Sequence, residues 1–283
     1  MAGGTELENL VARARGGERR ALEAVLDAIR DDVYNLAIRM LRHPQDAEDA
    51  TQEILVRVMT SLGSFRGEAA FSTWAYRVAA NHLLTRRRRS SELEQLSFDT
   101  FADDLATGLD EPYAATRDGI DEALLEDEVK LSCTSAMLQC LDREHRLAYV
   151  LGEVFELRSE QAAFVLDVTP AAYRQRLARA RARIRGFMEG NCGIVNPSNP
   201  CRCSRRIGQA VKLGRVDPQK PFLAGHPRRT QVREGVAEMT RLHAAAAIFR
   251  SHPDYAAPER VATEISRILD GDAVPTLAGI DDG

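Results

Sequence analysis

Arg174, Gln175, Arg176 and Arg179 lie close together, just after the stretch "LDVTP" that ends at Pro170. Guanidinium and carboxamide groups are the side chains suited to bidentate hydrogen bonds with base edges in the DNA major groove. A recognition helix delivers such groups from its N-terminal turns. The preceding residues fit that arrangement. Thr169 is an N-cap residue, Pro170 suits the first helical position, and Ala171 follows in the first turn. Ser159 can cap a shorter helix, "EQAAFVL", with "DVT" as the tight turn between the two. Tyr173, Leu177, Ala180 and Ile184 repeat at i, i+4, i+7 and i+11 and form the inward face of the second helix. The bland alternative is an arginine-rich amphipathic helix on a solvated surface. Turn, caps and charge agree on DNA binding.

The elements that position these groups read as all-α. Alternating strand patterns are essentially absent. Residues 6–41 show helical spacing, with Leu22, Val25, Leu26, Ile29, Val33, Leu36 and Ala37 on one stripe. Pro44 breaks that segment. Residues 46–62 form the next helix, with Ala47, Ala50, Ile54 and Val58 inward. Gly63 and Gly67 bound a loop, and residues 72–88 make a helix that holds the chain's one tryptophan, Trp74, and runs into four arginines. Trp74, Arg77 and Asn81 share a face of it. Residues 90–128 are polar, acidic and without sustained periodicity, which predicts a partly disordered linker. Residues 129–188 are helical again, and further helices are predicted at 230–250 and 258–270.

The formal net charge of −4 conceals segregation. Residues 97–128 hold eleven acids against one base, and residues 171–215 hold eleven bases against one acid. A basic block on a helix is the electrostatic footprint of nucleic-acid binding. There is no apolar run of about 18 residues and no signal-peptide core at the start, so a cytoplasmic protein without membrane contact is expected. No Gly-rich phosphate loop, HExxH or nucleophile triad is present, which argues against an enzyme.

Two stretches together carry a family resemblance. "DAEDATQEILVRVMTSLGSFRGEAAFSTWAYRVAANHLLTRRRR" followed by "LDREHRLAYVLGEVFELRSEQAAFVLDVTPAAYRQRLARARARIR" resembles the extracytoplasmic-function group of bacterial RNA polymerase sigma factors. The first looks like region 2 and the second like region 4. The resemblance implies two helical sigma domains, at 1–90 and 129–189, joined by an acidic linker at 91–128 and followed by a helical extension at 190–283. It implies core RNA polymerase and promoter DNA as partners, with an anti-sigma factor as a further one. Asp46, Asp49, Gln52 and Glu53 would dock on the polymerase. Phe65 and Arg66 would sit in the loop that captures a flipped base of the −10 element. Trp74, Arg77, Asn81, Arg86, Arg87 and Arg88 would line the melted strand and its phosphates, a task for aromatic walls and cations. Trp74 also fits a core anchor. Thr169, Ala171, Arg174, Gln175, Arg176 and Arg179 would read the −35 element. The acidic linker would thread into the polymerase as a mimic of nucleic-acid charge. Asp167 stands where the family often has glycine in the turn, and Asp tolerates left-handed dihedrals. The rival reading is a stand-alone helix-turn-helix regulator.

The extension contains "CGIVNPSNPCRC". An odd count of five cysteines argues against a disulfide framework. Cys192, Cys201 and Cys203 can bind zinc with His226 as a fourth ligand, sense oxidants beside their arginines, or pack as reduced thiols in a loop. Otherwise no cofactor is expected. Cys133 and Cys140 are expected in the core. By its length and position the extension is expected to regulate the factor in cis.

Overall fold

The computed structural model describes residues 2–86, 96–109, 111, 122–220, 244–250 and 252–270. Among these it is helical, without β-strands apart from one isolated bridge between Cys192 and Cys201. The chain divides into two compact units. The first comprises residues 1–87, 159–172 and 255–283, and the second 88–158 and 173–254.

In the first unit, α1 (Ala2–Arg15) and α2 (Arg19–Leu41) do not form the continuous helix expected over 6–41. Gly16 and Gly17 interrupt it, and Gly17 adopts φ +89°, which glycine enters at little cost. The stripe read from the sequence is the buried face of α2: Leu22, Val25, Leu26, Ile29, Val33, Leu36 and Ala37 are all at most 4% exposed. Pro44 opens α3 (Pro44–Ser61) at its first turn, where a missing N–H is harmless. A 3-10 turn (Leu62–Ser64) leads through the loop to α4 (Phe71–Thr85). Helices α2, α3 and α4 pack on one another around Leu36, Ala50, Ile54 and Ala79, and α1 covers α2.

The second unit contains helix within the stretch expected to be a partly disordered linker. Ser97 closes a capping box with Thr100 and starts α5 (Phe98–Ala106), whose Phe101 and Leu105 are buried. Helix α6 begins at Glu122 and runs to Gln139, and α7 (Arg143–Tyr149) is capped by Asp142, which accepts from the His145 amide at 3.0 Å. The acidic and basic blocks meet here. Asp104 of α5 pairs with Arg206 at 3.0 Å and Arg215 at 2.6 Å, and Glu111 with Lys212 at 3.0 Å. Part of the acidic charge expected to mimic nucleic acid is therefore neutralised within the chain.

The turn expected after Leu166 is present. Helix α8 (Ser159–Leu166) ends on Asp167 at φ +55°, and Thr169 Oγ1 accepts from the Ala172 amide at 3.2 Å as α9 (Pro170–Asn191) begins. After α9 come a 3-10 turn (Ser204–Arg206), α10 (Ile207–Lys212), α11 (Ala244–Arg250) and α12 (Glu259–Asp270). The part of the helix expected at 230–250 that precedes Ala244 lies outside the described residues.

Helix α12 belongs to the first unit and packs on α2 and α3. Val261, Ile265 and Leu269, spaced by four, are its buried face. Tyr255, just before it, is 2% exposed. The Asn35 side chain donates to the Tyr255 carbonyl at 2.7 Å and accepts from the Tyr255 amide at 2.7 Å. Arg39 stacks over the Tyr255 ring, 5.2 Å from its centroid. The Ala257 amide donates to Asp31 at 3.0 Å, and Arg260 pairs with buried Glu48 of α3.

Candidate nucleic-acid interface

The loop after α3 is fixed by aromatic packing. Phe65 packs edge-on against Phe71 with centroids 5.4 Å apart and is tilted on Trp74 at 5.5 Å; Phe71 and Trp74 are also 5.5 Å apart. Such pairs add about 0.5–1.5 kcal/mol each beyond area burial. Phe71 is fully buried, Phe65 is 9% exposed and Trp74 is half-buried. Trp74 is thus partly packed and partly open, while Phe65 packs inward beside it. Arg66 is exposed beside it. These residues, with Ser64, Glu68, Ala69, Arg77 and Phe164, line a cleft of about 220 Å³.

Arg77 forms one wall of the cleft. Its guanidinium lies 4.9 Å from the Phe164 ring centroid and donates to Asp167 at 2.7 Å. Asp167 is exposed, so this pair is worth about 0–1 kcal/mol and can be exchanged for a phosphate. Phe164 and Asp167 were not expected here. They reach the cleft because α8 packs on α4 within the first unit, a contact across distant sequence. Asn81 is exposed further along α4. Arg86 differs from expectation. Its side chain is buried 3.7 Å from Asp46, also buried, instead of standing free at the helix end. Arg87 and Arg88 lie outside the described residues.

That pair also revises the acidic stripe. Asp46 is 6% exposed, Asp49 and Gln52 are half-buried, and Glu53 is exposed. Asp46 stands in the first turn of α3, where its charge opposes the helix dipole favourably. His82, 4% exposed, faces Glu53 at 3.6 Å. Burial pushes its pKa below the ordinary 6.5, with a smaller opposing pull from Glu53. Unfolding therefore takes up a proton at this site. Stability should be full above about pH 6.5 and decline as pH falls from there through the lowered native pKa. Chemical denaturation across pH 4–8 should show this slope, and His82→Gln should flatten it.

On α9, Arg174, Gln175, Arg179, Thr169 and Ala171 are exposed, while Tyr173, Leu177, Ala180 and Ile184 are buried as the periodicity required. Arg176 is half-buried and pairs with Glu144 at 2.9 Å. Arg181 donates to buried Glu153 at 2.6 Å, and Arg183 lies 5.7 Å from the Phe98 ring centroid. The Tyr173 hydroxyl donates to the Ala148 carbonyl at 3.4 Å, which fixes the second turn of α9. Arg174 and Arg179 thus keep the exposure that phosphate or base contact requires, while Arg176 is tethered.

Among the described residues no helix is long and apolar enough to cross a membrane. The profile for Sigma-70 region 2 matches residues 25–92, and that for Sigma-70, region 4 matches residues 131–184. In this order, on a chain whose described residues are helical without strands, the two matches define a sigma-70-type protein. The RNA polymerase sigma-H factor of Pseudomonas aeruginosa is 30% identical over 181 residues, covering 62% of this chain and 91% of the relative. The ECF RNA polymerase sigma factor SigW of Bacillus subtilis is 25% identical, covering 63% and 95%. The ECF RNA polymerase sigma-E factor of Escherichia coli K12 is 28% identical, covering 62% and 90%. The solved structure of CnrH in complex with the cytosolic domain of CnrY matches with a TM-score of 0.42 at 22% identity, covering 64% of this chain and 96% of that one. The chain belongs to the extracytoplasmic-function group of sigma-70 family RNA polymerase sigma factors.

Proposed function

We propose that this chain is a non-enzymatic initiation subunit that binds core RNA polymerase in the cytoplasm, recognises promoters and opens them. The observation that carries this reading is the pairing, on one region-2 plus region-4 chain, of an aromatic-walled cleft with an exposed arginine and glutamine face. Loop 63–70, Trp74, Arg77 and Asn81 receive unpaired −10 bases and their phosphates. Thr169, Ala171, Arg174, Gln175 and Arg179 contact the −35 duplex, with Arg176 joining once it leaves Glu144. Asp49, Gln52 and Glu53 dock on the polymerase, with Asp46 and Arg86 as the buried pair that holds α3 and α4 in register. An anti-sigma protein would compete for these faces. Residues 190–283 regulate the factor in cis, because α12 already covers part of α2 and α3.

Run-off transcription with core polymerase and promoter fragments tests this reading. Discrete transcripts that require the chain are expected. DNA binding without polymerase dependence would favour the stand-alone regulator instead. Replacing Arg174 and Arg179 together by alanine should reduce promoter affinity of the holoenzyme. If both arginines contact phosphates, the salt dependence should become shallower by roughly 2 in the log–log slope. Filter binding across a salt series reads this directly.

A further inference from the structure

Among the described residues no group of three or more His, Cys, Asp or Glu side chains is placed to hold a metal ion, Cys192, Cys201 and Cys203 included, and His226 lies outside those residues. Helix α8, by contrast, makes a contact with a direct bearing on DNA. It packs on α4 through Arg77, a residue of the proposed −10 surface. The Arg77 guanidinium lies over the Phe164 ring, 4.9 Å from its centroid, and donates to the Asp167 carboxylate at 2.7 Å.

The two partners of Arg77 are held as one unit. The Asp167 amide donates to the Phe164 carbonyl at 3.3 Å, and the Val168 amide donates to the Ala163 carbonyl at 3.1 Å. This C-terminal cap of α8 fixes the ring and the carboxylate side by side. Ala162, Ala163, Val165 and Leu166 are buried, so the rest of α8 is anchored while these two groups face Arg77. An aromatic face and an anion on one guanidinium are also what a nucleotide offers, a base to stack and a phosphate to pair. Phe164 presents its ring at the cleft that Phe65, Arg66 and Trp74 line.

This packing cannot persist on a promoter. Helices α8 and α9 are joined by residues 167–169, which span at most about 10 Å. Helix α8 therefore travels with the helix that reads the −35 duplex. The −10 and −35 elements are roughly 25 base pairs apart, on the order of 85 Å of duplex at 34–36 Å per turn. While α9 lies in the −35 major groove, α8 cannot line the −10 cleft.

We propose that Phe164 and Asp167 are an internal stand-in for a nucleotide. They close the −10 surface of the free chain by occupying Arg77, and the promoter strand takes their place when α8 withdraws. The proposal rests on the assignment of Arg77 to the −10 strand. No covalent bond changes. A phosphate replaces the Asp167 carboxylate, and a base replaces the Phe164 ring. An exposed ion pair and a cation–π contact together shift a competing equilibrium by about tenfold. That suppresses single-strand binding by the free chain and still yields to polymerase and duplex.

The test follows the fluorescence anisotropy of a labelled oligothymidine of about twelve nucleotides, a sequence-tolerant probe, with the full chain and no polymerase. Asp167→Asn preserves the left-handed turn and should tighten binding about threefold. Asp167→Asn combined with Phe164→Leu should tighten it on the order of tenfold, with circular dichroism confirming the fold. Adding Arg77→Ala should cancel the gain. Glu68→Gln removes the same charge from the cleft without releasing Arg77 and should give a smaller gain. An equal gain from Glu68→Gln would assign the effect to net charge and overturn the proposal. Unchanged or weaker binding in Asp167→Asn and in the folded double variant would also overturn it, and the −10 assignment would stand if Arg77→Ala still weakens the wild type. No effect of Arg77→Ala in any background would overturn that assignment and the proposal with it.

Discussion

Tyr255→Ala should undock α12 from α2 and α3. The tyrosine is fully buried, its ring lies under Arg39, and its backbone holds both ends of the Asn35 carboxamide. Truncating a buried aromatic of this size costs about 3–5 kcal/mol. That loss can reach the global unfolding free energy only up to the strength with which α12 is docked. Beyond that point the helix opens locally while the rest of the unit survives. Hydrogen exchange should show lost protection in residues 259–270 with the α2–α3 core retained. If the segment regulates in cis, polymerase affinity should rise in the same variant, since a face of α2 and α3 is uncovered. Unchanged protection in α12 would refute the docking argument, and unchanged polymerase affinity would refute the regulatory one.

Gly152→Ala should damage the second unit. Gly152 lies in a π-helical turn (Val150–Val154) that follows α7. A Cβ there would collide with the Tyr173 hydroxyl and stand 2.8 Å from Leu177 Cδ2. Both residues belong to the buried face of α9, so the added methyl pushes on the helix that carries Arg174 and Gln175. Overpacking of this kind costs about 1–3 kcal/mol. The Tyr173–Ala148 hydrogen bond should break as well. Promoter-dependent transcription should fall while the stability of the first unit is unchanged. Thermal denaturation would then show one transition shifted down.

The parts legible in the sequence were those written in local periods. Tyr173, Leu177, Ala180 and Ile184 repeat along one helix and are buried as that repeat demands. Asp167 was readable as a left-handed turn residue because its short polar side chain tolerates that backbone. Where charge dominated a segment, short apolar stripes were hidden. The acids of residues 97–128 concealed Phe98, Phe101 and Leu105, a short apolar stripe behind a capping serine. Asp46 and Arg86 looked like free surface charges, and only tertiary packing shows that they bury each other. Contacts across long sequence distances left no local trace. Arg77 beside Phe164 and Tyr255 beside Asn35 belong to that class.

The Arg77–Asp167 pair has a consequence for the ion atmosphere of the promoter complex. If Arg77 moves to a phosphate as proposed, it first gives up Asp167, whose exposed carboxylate returns to water at a cost of about 0–1 kcal/mol. The new contact still displaces a condensed cation from the DNA. It should therefore count fully in the salt slope while adding less free energy than an unpaired arginine would.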